Sequence, residues 1–223
     1  MLTRFIVGLK LCLADEFFNA LKIPLKLKIA NLLTLTRIAM IPMVVIAFYL
    51  PFAWGKLAAA VLFVAAAVTD SLDGYLARRL NQMSALGAFL DPVADKLMVA
   101  VVLVVLVSDE PALLRPFAFN PHLLITLIAS VIVGREIAVS ALREWMAELG
   151  ARARIAVSNL GKLKTTFQMT GLALMLYQDD LVAVPIYELG VACLLIAAVL
   201  TLWSMLVYLR AAWPELQKSA DRA

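Results

Sequence analysis

The amino-acid sequence predicts an all-α integral membrane protein with six transmembrane helices and an N-terminal interfacial amphipathic helix. Hydrophobic residues make up 64% of the 223 residues, and the mean hydropathy is +0.93, whereas soluble domains are about 45–50% apolar. Most of the chain consists of apolar stretches near the roughly 20 residues that a membrane-crossing helix requires. Basic residues lie in the short gaps between these stretches, as in membrane proteins. The net charge of +4 therefore gives no reason to expect nucleic acid as a partner.

The N-terminal segment, residues 2–22, has the pattern of an amphipathic helix. Its large apolar residues recur at helical spacing, at Phe5, Ile6, Leu9, Leu13, Phe17 and Leu21. Charged residues occupy other positions around the wheel, and Pro24 follows. We expect this helix to lie in the membrane interface; the alternative is a first, imperfect membrane anchor. The predicted organisation is a juxtamembrane helix over 1–28, a membrane domain over 29–212 and a cytoplasmic tail over 213–223.

Six apolar stretches are long enough to be transmembrane helices. They cover residues 30–50, 55–77, 86–107, 122–143, 160–178 and 186–209. Of the 20 basic residues, only Lys56 and Arg115 fall in or beside the loops on one side. The N-terminal segment, the other loops and the tail carry most of the rest. The positive-inside rule therefore places both termini in the cytoplasm, in agreement with an even number of spans.

Four aspartates stand where hydropathy tolerates them least. Asp70 and Asp73 end the second span, and Asp91 and Asp95 open the third. An aspartate at the centre of a membrane helix costs about 2.5–3.5 kcal/mol, and less near its ends. Four neighbouring carboxylates would also repel one another, so a compensating charge is expected.

Helical geometry brings these carboxylates together. Residues three or four apart share a helix face, and a short turn makes the two spans antiparallel neighbours. Carboxylate oxygens are preferred ligands of Mg²⁺ and Mn²⁺, and paired-metal sites hold two ions about 3.5–4 Å apart. Two divalent cations would balance four carboxylates. Small residues beside the acids leave room for a bulky ligand, at Gly74, Ala77 and Gly87.

The stretch from Asp70 to Asp95 resembles the signature of the CDP-alcohol phosphotransferase family at every defining position, with eight fixed residues over 26 positions. The resemblance implies a membrane enzyme that transfers a phosphoalcohol group from a CDP-activated lipid. It also implies that Asp70, Asp73, Asp91 and Asp95 are metal ligands and that Asp95 is the base. The residues that it assigns to the CDP-diacylglycerol site are Asn31, Thr34, Arg37, Gly74, Ala77, Arg78, Ser84 and Gly87.

Two further stretches, 134–150 and 158–166, are similar to the bacterial phosphatidylglycerophosphate synthase branch of this family, and the resemblance covers about residues 28–210. It implies transfer of a phosphatidyl group from CDP-diacylglycerol to glycerol 3-phosphate. It further implies a homodimer in the bacterial inner membrane, with the active site on the cytoplasmic side. Serine, inositol phosphate or phosphatidylglycerol as acceptor remains an alternative. A cation transporter is a second alternative, although all four acids lie near one membrane face.

A dianionic acceptor such as glycerol 3-phosphate needs cations near the metals. Arg135, Arg143, Lys162 and Lys164 lie at or near the cytoplasmic ends of the fourth and fifth spans and are the predicted acceptor-phosphate ligands. Alternatively, these cations orient the protein or contact anionic lipid. Arg135 lies further into its span beside Glu136, where a partner or ligand is expected.

Overall fold

The computed structural model describes residues 29–79, 85–109, 121–148, 159–179 and 184–220. These residues form six α-helices and no β-strand. The helices are α1 Ile29–Tyr49, α2 Gly55–Arg79, α3 Ala85–Ser108, α4 Pro121–Glu148, α5 Asn159–Tyr177 and α6 Ile186–Ala220. The predicted amphipathic helix over 2–22 lies outside the described residues, and it stays a prediction.

Each predicted span coincides with one helix, which confirms the all-α class. Among the described residues, two helices contain segments long and apolar enough to cross a membrane, His122–Met146 in α4 and Ile186–Arg210 in α6. A shorter apolar segment, Thr34–Tyr49, lies in α1. The protein thus has helices capable of crossing a membrane, while the six crossings stay a prediction.

The helices pack around a shared apolar core. Helix α3 contacts α1, α4 and α5. Helix α2 packs on α1 and α5, and helix α6 packs on α4 and α5. Each helix contributes side chains that are almost fully buried, among them Val44, Phe63, Val102, Ile132, Leu172 and Leu194. Large apolar side chains also point outward, such as Val104 at 67% and Ile137 at 66% exposure. Helices that are apolar on both the inner and the outer side suit a lipid environment.

Polar contacts mark two opposite ends of the bundle. Helices α1, α3 and α5 begin at one end of the bundle, and α2, α4 and α6 finish there. We call this the site end. At the other end, the far end, Lys56 at the start of α2 hydrogen-bonds Gln178 after α5, and Gln178 hydrogen-bonds Asp109 after α3. Tyr49 and Ser108 form another hydrogen bond there, between the ends of α1 and α3. Among the described residues, these hydrogen bonds therefore connect four helices at the far end, α1, α2, α3 and α5.

Helices α5 and α6 approach closely at two glycines. A Cβ atom on Gly171 would lie 2.9 Å from the Gly190 carbonyl oxygen and 2.9 Å from Leu194 Cγ. A Cβ atom on Gly190 would lie 3.0 Å from the Gly171 carbonyl oxygen. The atoms that an added Cβ would meet include backbone atoms, which cannot easily move aside. Neither position therefore has space for a side chain.

Replacement of Gly171 by alanine should therefore destabilise the protein. We expect a loss of about 1–3 kcal/mol, the usual cost of overpacking a close contact, measured by thermal unfolding in detergent. Gly161→Ala is the matched control, because it lies in the same helix and nothing stands within 4 Å of its added Cβ. Equal melting temperatures for the two variants would contradict the close packing of α5 on α6.

Candidate active site

Helix α1 connects Asp70 of α2 with Asp91 of α3. Arg37 Nη1 lies 2.6 Å from Asp70 Oδ1, and Thr34 Oγ1 donates a hydrogen bond of 2.6 Å to Asp91 Oδ1. Thr34 and Arg37 are three residues apart and lie on one face of α1. Asp70 and Asp91 consequently meet the same helix at the site end, in agreement with the predicted meeting of the two acidic faces.

Arg37 supplies part of the charge compensation that the aspartates require. Its side chain is only 2% exposed, whereas that of Asp70 is 43% exposed. A guanidinium–carboxylate contact at this distance is an ion pair, and arginine is well suited to pairing with a carboxylate in a buried position. The sequence predicted that Thr34 and Arg37 contact CDP-diacylglycerol; the structure shows both residues holding aspartates. In this placement each residue orients an aspartate, and the contact with CDP-diacylglycerol stays a prediction.

Asp95 lines a small cavity between α3, α4 and α5. The volume is about 50 Å³, and the polar residues of its wall are Asp95, Lys96, Glu136, Lys164, Thr165 and Gln168. Such a cavity has room for only a few water molecules. The predicted base and one of the predicted phosphate-binding cations, Lys164, thus border the same space.

Two of the predicted cations converge on one carboxylate. Glu136 Oε1 lies 2.7 Å from Arg135 Nη1 and 2.6 Å from Lys164 Nζ. Arg135 Nη2 also donates a hydrogen bond of 3.0 Å to Ser204 Oγ on α6. Arg135 and Lys164 are buried, at 8% and 6% exposure. We call Arg135, Glu136 and Lys164 the basic cluster; its formal charge is +1.

The other two predicted cations lie apart from the basic cluster. Arg143 is exposed, donates a hydrogen bond of 2.8 Å to Tyr208 OH and stands 5.0 Å from the centre of that ring, a cation–π distance. Lys162 is exposed on α5. Within the described part of the chain, Lys164 is the one predicted cation on the cavity wall. The four predicted cations are therefore two buried residues that share Glu136 and two exposed residues, and their common role in binding the acceptor phosphate stays a prediction.

Sequence reasoning missed the polar residues that complete this region. Lys96 Nζ hydrogen-bonds Ser140 Oγ, and Ser140 Oγ donates a hydrogen bond of 2.6 Å to the Glu136 carbonyl oxygen. Gln168 is buried and lines the cavity. The sequence itself could have pointed to Lys96 and Glu136, because a charged residue inside an apolar stretch requires a partner.

The remaining predicted residues are placed less completely. Asp73, Gly74, Ala77 and Arg78 lie in the last turns of α2, Gly87 lies in the first turn of α3, and Asn31 lies in the first turn of α1. Their side chains are outside the described set, as is the whole of Ser84. These assignments therefore stay predictions.

The donor set fits a hard divalent cation in its chemistry. Asp70, Asp91 and Asp95 offer carboxylate oxygens, the ligands that such a cation prefers; one oxygen of Asp70 contacts Arg37, and one oxygen of Asp91 contacts Thr34. Among the residues with described side chains, no three carboxylates, histidines or cysteines are grouped closely enough to hold a metal ion. Asp73, the fourth predicted ligand, is not in that set.

The sequence is similar to that of known proteins over most of its length. The CDP-alcohol phosphatidyltransferase family matches residues 27–203. A protein from Pectobacterium atrosepticum is 52% identical over 192 residues, and one from Sodalis glossinidius is 52% identical over 193. One from Shigella flexneri is 48% identical over 192. Each alignment covers 86% of this chain and 98% of the relative, and all three relatives are named CDP-diacylglycerol–glycerol-3-phosphate 3-phosphatidyltransferase. The protein belongs to the CDP-alcohol phosphatidyltransferase family.

Proposed function

We propose that this protein transfers the phosphatidyl group of CDP-diacylglycerol to glycerol 3-phosphate, giving phosphatidylglycerophosphate and CMP. The observation that carries this proposal is the cavity bordered by both Asp95 and Lys164. In the wall of this cavity, Asp95 offers a carboxylate to accept a proton, and Lys164 offers a cation to bind a phosphate. The names of relatives about half identical over nearly their whole length support the same pair of substrates.

The reaction needs one proton transfer and one displacement at phosphorus. The acceptor hydroxyl oxygen forms a bond to the β-phosphorus of CDP-diacylglycerol, and its proton passes to Asp95. The bond between that phosphorus and the bridging oxygen breaks, so CMP departs with the bridging oxygen and its electron pair. A carboxylate within hydrogen-bond reach of the hydroxyl can act as the general base.

Asp70, Asp73, Asp91 and Asp95 would hold two divalent cations, Mg²⁺ or Mn²⁺. When bound, these ions supply charge neutralisation at the diphosphate and at the departing CMP. Arg37 fixes one oxygen of Asp70 and Thr34 fixes one oxygen of Asp91. Both carboxylates are thereby oriented before a substrate arrives, which lowers the cost of assembling the site.

The acceptor phosphate would bind at the basic cluster. Lys164 borders the cavity directly. Arg135 stands behind it, and its buried Nε has no hydrogen-bond partner among the described residues. Arg143 and Lys162, which are exposed at the site end, would contribute to the approach of a dianion, since surface charges act mainly by steering.

Removal of the charge of Lys164 should weaken acceptor binding selectively. A charge-assisted hydrogen bond contributes about 1.5–3 kcal/mol, so Lys164→Gln and Arg135→Gln should each raise the acceptor KM roughly tenfold or more. The KM for CDP-diacylglycerol should barely change. We expect smaller effects from Arg143→Gln and Lys162→Gln, because both side chains are exposed. An unchanged acceptor KM in all four variants would remove this phosphate site.

The proposed function is tested by assaying purified protein with CDP-diacylglycerol and each candidate acceptor. CMP release and lipid product should appear with glycerol 3-phosphate and not with serine, inositol phosphate or phosphatidylglycerol. An Asp91→Asn preparation, purified in parallel, corrects for contaminating host enzyme. Product with another acceptor would change the substrate assignment. Absence of any product, together with cation flux in proteoliposomes, would instead favour a transporter.

The same proposal includes placement in the cell. Six membrane crossings would put the site end at the cytoplasmic face of a bacterial inner membrane, where glycerol 3-phosphate is a soluble metabolite. The outward apolar side chains of the bundle support burial in lipid. A homodimer is the assembly that we expect.

A further inference from the structure

The proposed reaction leaves Glu136 without a function. No step of that reaction uses this carboxylate, yet among the described residues it borders the same cavity as Asp95 and binds two buried cations. We propose that Glu136 is a positioning residue: it holds the Lys164 ammonium at the wall of the Asp95 cavity and thereby sets the affinity for the acceptor phosphate. This inference rests on the proposed function and deepens it.

The geometry gives Glu136 control over both cations. One oxygen, Oε1, accepts from Lys164 Nζ at 2.6 Å and from Arg135 Nη1 at 2.7 Å. Lys164 comes from α5, while the second arm of Arg135 reaches Ser204 on α6. Because Ser140 binds the Glu136 carbonyl oxygen and Lys96 binds Ser140, the backbone beside the carboxylate is also fixed to α3. Glu136 is therefore the junction of four helices.

Charge explains why a carboxylate is required at this junction. Two neighbouring buried cations repel each other, and each pays a cost for leaving water. A lysine is a point charge on a flexible stem, so an unpaired ammonium would turn away from the cavity. With Glu136 in place, the Lys164 ammonium is held in position before the acceptor binds. This preorganisation lowers the cost of binding a phosphate.

A competing role makes the opposite prediction. If Glu136 merely occupied Lys164 and had to be displaced by the phosphate, its removal would free a cation and tighten acceptor binding. The sign of the change in acceptor KM therefore separates a positioning carboxylate from a competing one.

The test is the kinetics of Glu136→Gln in the full-length protein, which removes the charge and keeps the shape. We expect the acceptor KM to rise about tenfold, as for loss of one charge-assisted hydrogen bond, with the KM for CDP-diacylglycerol unchanged. Glu144→Gln is the matched control: the same charge change on the same helix, at an exposed residue that lines a neighbouring groove and not the Asp95 cavity. Its acceptor KM should not move.

A double-mutant cycle with Lys164→Gln tests whether Glu136 acts through Lys164. In the Lys164→Gln background, Glu136→Gln should change the acceptor KM by less than about threefold, because the group that it positions is absent. An equal effect in both backgrounds, or an unchanged or lowered acceptor KM in the single variant, would overturn the inference. If wild-type protein transfers to glycerol 3-phosphate in the same assay, those outcomes leave the proposed function intact; failure of the wild-type reaction would remove both.

A second variant covers the case in which Glu136→Gln does not accumulate as folded protein. Glu136→Asp keeps the negative charge and withdraws it by one methylene. We expect its acceptor KM to rise several-fold and its KM for CDP-diacylglycerol to stay constant. An unchanged acceptor KM in folded Glu136→Asp would count against positioning.

Discussion

Removal of divalent cations should abolish transfer, and added Mg²⁺ or Mn²⁺ should restore it. Four carboxylates at the site end would repel one another and the diphosphate of the substrate without bound cations. The loss of several kcal/mol of transition-state stabilisation corresponds to about a thousandfold in rate or more. The measurement is the initial rate after exhaustive chelation, followed by titration with each metal.

Direct binding of Mn²⁺, followed by electron paramagnetic resonance, gives a second measurement that does not depend on turnover. Binding should weaken in Asp91→Asn and persist in Asp109→Asn. The latter makes the same change at the far end, where Asp109 accepts a hydrogen bond from Gln178. Full activity in metal-free buffer would refute the paired-metal site, even if Mn²⁺ bound elsewhere.

Replacement of Asp95 by asparagine should produce the second large loss. A positioned general base contributes about 10²- to 10⁴-fold to the rate, so kcat should fall by that amount at saturating metal. The acceptor KM should change little, because the cation on the cavity wall, Lys164, is retained. Steady-state kinetics with both substrates varied would measure the two effects separately.

The control for this prediction is again Asp109→Asn, which should keep near-normal kcat. An Asp95→Asn protein that retains kcat when metal is saturating would show that another group takes the proton. A rise in metal requirement without loss of maximal rate would assign Asp95 to metal binding alone.

The six helices were predictable because their signal is local. Each predicted span is a continuous apolar run interrupted by polar residues, proline or charge, and each coincides with one helix. The end of α6 was not predictable in this way. The helix runs to Ala220, beyond the apolar run that ends at 209. Hydropathy marks only the apolar part of a helix, whereas the hydrogen bonds of the helix can continue into polar sequence.

The candidate site was predictable where its spacing is helical and unpredictable where it depends on packing. The four aspartates follow intervals of three and four residues, which a sequence displays directly. The bond from Thr34 to Asp91 joins residues 57 positions apart, and only the packing of α1 on α3 reveals it. The basic cluster was harder still, since neighbouring residues such as Arg135 and Glu136 do not normally face each other on a helix.

The hydrogen bonds at the far end have a mechanical consequence for substrate entry. The Asp95 cavity, at about 50 Å³, would widen if the helices moved apart at the site end when glycerol 3-phosphate binds. At the far end, helices α2, α5 and α3 are held together by hydrogen bonds among Lys56, Gln178 and Asp109. Any tilt of these helices would therefore pivot about the far end. Helix α3 has 24 residues and is about 36 Å long, so a tilt of about 3° moves its opposite tip by about 2 Å. A small rotation about the tied end would therefore widen the spacing of the helices at the site end.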